Sequence, residues 1–69
     1  MKFASILREL RQAEELSQMQ LAVATGLSQT AIASWELSKQ EPKANALITL
    51  AKYFGISIDE LLGVEDYLK

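Results

Sequence analysis

The sequence predicts an all-α domain of five short helices, and three observations predict it. Apolar residues recur at helical spacing in several separate segments and alternate over no useful length. Serines stand where N-caps are wanted, twice with Gln or Glu three residues further on. Gly26, Gly55 and Gly63 each follow such a segment, where a chain leaves a helix. With 69 residues there is room for one domain. We expect it to span residues 1–63, with a C-terminal tail over 64–69. A domain this small buries a modest fraction of its surface, so its core must be dense, and 49% hydrophobic residues supply the material.

Residues 2–15 form the first amphipathic segment, with Phe3, Ile6, Leu7 and Leu10 on one side and Arg8, Glu9, Gln12 and Glu15 on the other. Arg11 lies at the edge of the apolar stripe. Leu16 and Ser17 end this helix and start the next. Ser17 is the expected N-cap of a helix running from Gln18 to Thr25, and Gln20 completes a capping box. Leu21, Ala22 and Thr25 share one face of it, and Met19 is a filler on the core or the flank. Gly26 takes φ > 0 at little cost, as a sharp stop requires. Leu27 then folds back on the helix just ended. Ser28 caps a third helix whose apolar positions are Ile32 and Trp35. Helix, sharp turn, helix is a pattern that serves either as a corner in a bundle or as a reader of a DNA groove.

After Glu36 the stretch LSKQEPKA holds the only proline, Pro42, so the third helix must end before it. The fourth helix is expected from about Ala44 to Phe54, burying Leu47, Leu50, Ala51 and Phe54 with Ile48 alongside. Gly55 ends it. Ser57 with Glu60 forms a second capping box that opens a short fifth helix. Leu61 and Leu62 close the core, and Gly63 stops the chain's last turn.

Composition narrows the function. There is no Cys and no His, which removes disulfides, thiolate metal sites and the commonest general base. No paired carboxylates sit near a pocket-like stretch. We therefore expect no enzyme, no metal and no cofactor. No apolar run approaches the ~20 residues that span a bilayer, and Arg8 and Glu9 interrupt the N-terminus before it could serve as a signal segment. A cytoplasmic protein is expected, or one domain of a longer chain. The net charge of -2 counts against nucleic acid as a partner. Its distribution softens that objection. Asp59, Glu60, Glu65 and Asp66 face only Lys69 at the C-terminal end, whereas residues 1–58 carry six basic and five acidic residues.

The anchors together resemble the XRE family, the lambda cI and Cro-like helix-turn-helix domains. They are Leu7-x-x-Leu10-Arg11, Leu16-Ser17-Gln18-x-x-Leu21-Ala22, Gly26-Leu27-Ser28-Gln29-x-x-Ile32, Trp35-Glu36, Glu41-Pro42, Leu47-x-x-Leu50-Ala51, Phe54-Gly55-Ile56-Ser57 and Leu61-Leu62-Gly63. The resemblance covers residues 3–63 and implies a compact five-helix, lambda-repressor-like DNA-binding domain with its helix-turn-helix at helices 2 and 3. By motif position Gln29 and Thr30 would meet base edges first, with Ala33 and Ser34 along the same face. Gln18 would bond a backbone phosphate and brace Gln29. Ser28, Lys39, Lys43 and Asn45 are the further phosphate candidates. Arg11 and Glu36 would pair to tie helix 1 to the end of helix 3, a structural rather than a reading role.

Physical chemistry supports these assignments separately. Gln can bond both N6 and N7 of adenine, and Ala33 can touch a thymine methyl. The N-terminal N–H groups of helix 2 make a phosphate site that needs no Lys. The outward residues of helix 3, taken as Gln29, Thr30, Ala33, Ser34 and Leu37, are small or neutral and repel nothing. Three positions depart from the family pattern. Ser38 stands where Gly is usual, Gln40 where Arg or Lys is usual, and Lys43 where a small cap is usual. Trp35 is expected in the core rather than stacked on a base. Tyr53 and Tyr67 are expected at the surface or an interface, and Val64, Tyr67 and Leu68 are candidates for a dimer contact.

The resemblance thus implies a sequence-specific regulator, expected to be a repressor, bound as a homodimer to double-stranded DNA with a two-fold operator. The alternative is an antitoxin or anti-repressor that uses the same fold mainly to hold a protein partner, which the acidic balance favours.

Overall fold

The structure, a computed structural model, describes residues 2–64. Five helices follow in order: α1 (Phe3–Ala13), α2 (Gln18–Thr25), α3 (Gln29–Glu36), α4 (Ala44–Phe54) and α5 (Ile58–Leu62). Each of α1 and α2 packs on α3, α1 and α4 both pack on α5, and α4 also meets α2. Phe3, Leu7, Leu21, Ala22, Ile32, Trp35, Ala46, Leu50, Ala51 and Leu61 form the buried core. Every helix contributes to it. The Phe3 and Trp35 rings meet edge to face, 6.2 Å between centroids, pinning the start of α1 to the end of α3.

The caps explain most of the boundaries. Ser17 and Gln20 exchange bonds as a capping box at the start of α2, and Ser57 and Glu60 do the same for α5. Ser28 Oγ accepts from the Ala31 N–H at 3.2 Å, which opens α3. Gly26 takes φ +76 at the end of α2 and supplies the sharp turn into α3. Leu27 is half-buried against the core, so the turn folds back as expected.

The structure corrects the sequence expectations in several places. The first segment does not stay helical to its expected end: α1 stops at Ala13, and Glu15 takes φ +56. The Leu16 N–H then reaches back to the Arg11 carbonyl at 3.0 Å, a Schellman closure that turns Leu16 onto the core. Ser38 does the same after α3, with φ +58 and the Lys39 N–H on the Ser34 carbonyl at 2.9 Å. In α4 the buried residues are Ala46, Leu50 and Ala51, while Leu47 and Phe54 are half-buried and Ile48 is exposed. Met19 lies on the flank, also exposed. Leu62 is only half-buried, while Leu61 is fully buried. Gly63 does more than stop a helix. A Cβ there would stand 3.0 Å from both Ile6 Cδ1 and Lys2 Cβ, so its missing side chain lets the end of α5 lie close against the start of α1 and the residue before it. Val64 is half-buried; Tyr67 and Leu68 of the expected tail lie outside the described residues.

Candidate nucleic-acid interface

α2 and α3 place the expected contacts. At the mouth of α2 the capping box uses the Gln20 N–H, at 3.0 Å from Ser17 Oγ, and the Leu21 N–H returns to the Ser17 carbonyl. The N–H groups of Gln18 and Met19 remain as the helix's open donors, at the positive end of its dipole. At the mouth of α3, Ser28 takes up the Ala31 and Ile32 N–H groups through its hydroxyl and carbonyl. Gln29 and Thr30 are exposed there. Ala33 and Ser34 are half-buried rather than outward, so they can meet a ligand only along one edge.

A second group of candidates comes together across the loop between α3 and α4. Ser28, Lys43 and Asn45 line one groove with Leu27, Ala31, Gln40 and Glu41. Lys43 occupies the N-cap position of α4 and makes no side-chain cap bond. Asn45 Oδ1 accepts from the Ala46 N–H at 2.9 Å, which leaves its amide NH2 for another partner. Glu41 brings a carboxylate to the same groove and weakens it for anions. Lys39 is exposed beyond the Ser38 turn and lies outside this groove.

Glu36 is the polar centre of the domain. Its side chain is only 1% exposed. Arg11 clamps it with two charge-assisted bonds, Nε to Oε2 at 2.7 Å and Nη2 to Oε1 at 2.9 Å. A third Arg11 nitrogen, Nη1, donates to the Leu16 carbonyl at 2.8 Å, in the turn before α2. Gln18 Nε2 donates to Glu36 Oε1 at 3.1 Å. The Gln18 amide is therefore engaged with Glu36 through Nε2, a partner that the family pattern did not supply. An ionised carboxylate offers better acceptors than a second amide. Burial by itself pushes the Glu36 carboxyl up. The Arg11 and Gln18 hydrogen bonds and the charges of Arg11 and Arg8 outweigh it and hold the group below the ordinary carboxylate range. Arg11 is raised in turn, chiefly by its hydrogen bond to Glu36, against the effect of burial.

Arg8 was missed in the sequence. Helical spacing sets it on the polar side of the first segment, yet its Nη2 donates to the Glu36 carbonyl at 3.2 Å and its Nε lies 3.6 Å from Oε1. It thus caps the last turn of α3 with a cation, where the helix dipole favours one. The signal was available: Arg8 stands three residues before Arg11, on the same side of α1.

Among the described residues no group of three or more His, Cys, Asp and Glu could hold a metal, and no helix is long and apolar enough to cross a membrane. The family model described as Helix-turn-helix matches residues 7–61. The chain is 40% identical over 68 residues to the HTH-type transcriptional activator BcrR of Enterococcus faecalis, covering 99% of this chain and 33% of that protein. It is 33% identical over 60 residues to the cryptic phage CTXphi transcriptional repressor RstR of Vibrio cholerae, covering 87% of this chain and 54% of the repressor. The chain therefore spans a third to about half the length of these curated relatives. Among solved structures, the restriction-modification controller protein C.AhdI of Aeromonas hydrophila superposes with a TM-score of 0.78 at 35% identity, over 87% of this chain and 91% of that one.

Proposed function

We propose that this chain, which belongs to the XRE-like helix-turn-helix family, is a sequence-specific double-stranded DNA-binding regulator of transcription that reads the major groove with α3. The observation that carries this reading is the pair of eight-residue helices hinged at Gly26, with Gln29 and Thr30 exposed at the mouth of the second. Gln29 reads an adenine edge, Thr30 the neighbouring base, and Ala33 and Ser34 add edge contacts such as a thymine methyl. Phosphates are held by the open N–H groups and side chain of Gln18 and by Ser28, Lys43 and Asn45 along the groove. Lys39 supplies a further cation.

Most of these groups are neutral, so affinity per protomer is modest. A homodimer on a two-fold operator supplies the rest, because one recognition helix reads only a few base pairs. Repression requires only occupancy of DNA, whereas activation requires a further surface for the transcription machinery. We therefore favour repression, in the cytoplasm where the target DNA lies, and no catalytic role.

Titrating the chain against pooled duplexes over a range of salt tests the proposal. Log affinity should fall linearly with log salt. Gln29→Ala should relax base preference at one position in each half-site, at a cost of about 1–3 kcal/mol on the preferred sequence. Gln18→Ala should weaken all sequences alike. An equal loss on every sequence for Gln29→Ala removes it as a reader. No binding at low salt, with the dimer formed, removes the regulator in favour of a module that binds protein.

A further inference from the structure

We propose that Glu36 is a positioning residue for DNA binding: its buried carboxylate accepts from Gln18 and so holds the Gln18 amide at the mouth of α2, ready for a phosphate. The inference rests on the phosphate role proposed for Gln18. An ion pair that served only to tie α1 to α3 would need no third element. Arg11 already bonds both Glu36 oxygens, yet Gln18 Nε2 adds another bond to Oε1 at 3.1 Å.

The chemistry allows that amide one orientation. An ionised carboxylate only accepts, so the amide must turn its NH2 edge to it, because the opposite flip would set two acceptor oxygens against each other. One Nε2 hydrogen is then engaged and the other remains. A free Gln side chain would lose rotamer freedom on meeting a phosphate, and this one is ordered beforehand. Glu36 is the last residue of α3, the helix that carries Gln29 at its first position. Arg11 Nη1 holds the Leu16 carbonyl, in the turn that leads into α2. One carboxylate therefore ties the phosphate anchor of α2 to the C-terminal end of α3, the helix whose first residues read bases.

A double-mutant cycle on duplex affinity tests this, using duplexes selected from a random pool and with folding monitored by circular dichroism. Glu36→Gln keeps the shape but offers a single acceptor oxygen, which Arg11 takes. We expect Glu36→Gln and Gln18→Ala each to weaken binding about five- to tenfold on all sequences alike, and the double variant to be no weaker than about tenfold. A structural role for Glu36 alone would instead make the two losses multiply, toward about a hundredfold; that result, or no loss of affinity in Glu36→Gln, overturns the inference and leaves the regulator reading intact. Should Glu36→Gln fail to fold, the side-chain amide resonances of Gln18 in the unaltered chain decide. One Nε2 proton should keep its hydrogen-bonded shift when duplex is added, while the other moves. Loss of the first, or no change in the second, overturns the inference. Failure of the unaltered chain to bind any duplex at low salt overturns both readings together.

Discussion

Glu36 is where three helices converge on a single buried side chain, since it lies in α3 and bonds Arg11 of α1 and Gln18 of α2. Removing one partner of a buried pair leaves the other uncompensated, so Glu36→Ala should cost about 3–5 kcal/mol, a large share of a small domain's stability. Urea unfolding of the variant measures it. The pH dependence has a definite sign. The carboxyl is held below its ordinary range in the folded state, so its contribution is fully present above the unfolded pKa of about 4.3 and is lost as pH falls through the lower folded value. Melting curves from pH 7 downward should show stability falling below about pH 4.3, and Glu36→Gln should have a shallower acid limb. Ser38 and Glu15 are the second kind of special residue. Both hold left-handed backbone without being Gly, at φ +58 and φ +56. Ser38→Gly should raise stability by about 1 kcal/mol, or about 4–8 °C in Tm. A drop in Tm would show that the Ser38 side chain stabilises its turn by more than the strain costs.

At the scale of elements, the helices legible in the sequence are those with chemical punctuation. Ser17, Ser28 and Ser57 mark starts, Gly26 and Gly55 mark ends, and α2 and α4 begin and end where the residues indicated. α1 lacks such a mark at its C-terminus. Glu15 takes a glycine's conformation with an ordinary side chain, and nothing in its identity announces that. Ala46 escaped notice for a different reason. Apolar stripes are read from large residues, while a close helix contact favours a small one. The candidate site was legible only as residue types. Residue types singled out Gln18, Gln29 and Thr30, but the partner of Gln18 depends on where the end of α3 lies in space, which local pattern does not carry. Lys43 gives this scale its own prediction. It stands at the N-cap of α4 with no cap bond and a charge of the wrong sign for the helix dipole. Lys43→Ser should stabilise the domain by about 0.5–2 kcal/mol. If Lys43 also meets a phosphate, the same change should weaken duplex binding and reduce the salt slope by about one unit. Thermal melts and salt titrations on one variant check both.

At the scale of the whole molecule, a net charge of -2 is compatible with the proposed DNA partner because little rests on cations. Two of its basic side chains, Arg8 and Arg11, are committed to Glu36. What remains for DNA is chiefly helix N-termini, Gln, Ser, Asn and a few Lys. In the function proposed, such a protomer binds weakly by itself, and specificity comes from two copies reading two half-sites. Selection of bound duplexes from a random pool by the unaltered chain tests this most directly. The account expects enriched sequences with two inverted half-sites about 10 base pairs apart, centre to centre, each with an A·T pair at the position where Gln29→Ala relaxes preference. Enrichment of a single, non-repeated site, or of no sequence at all at low salt, would contradict it.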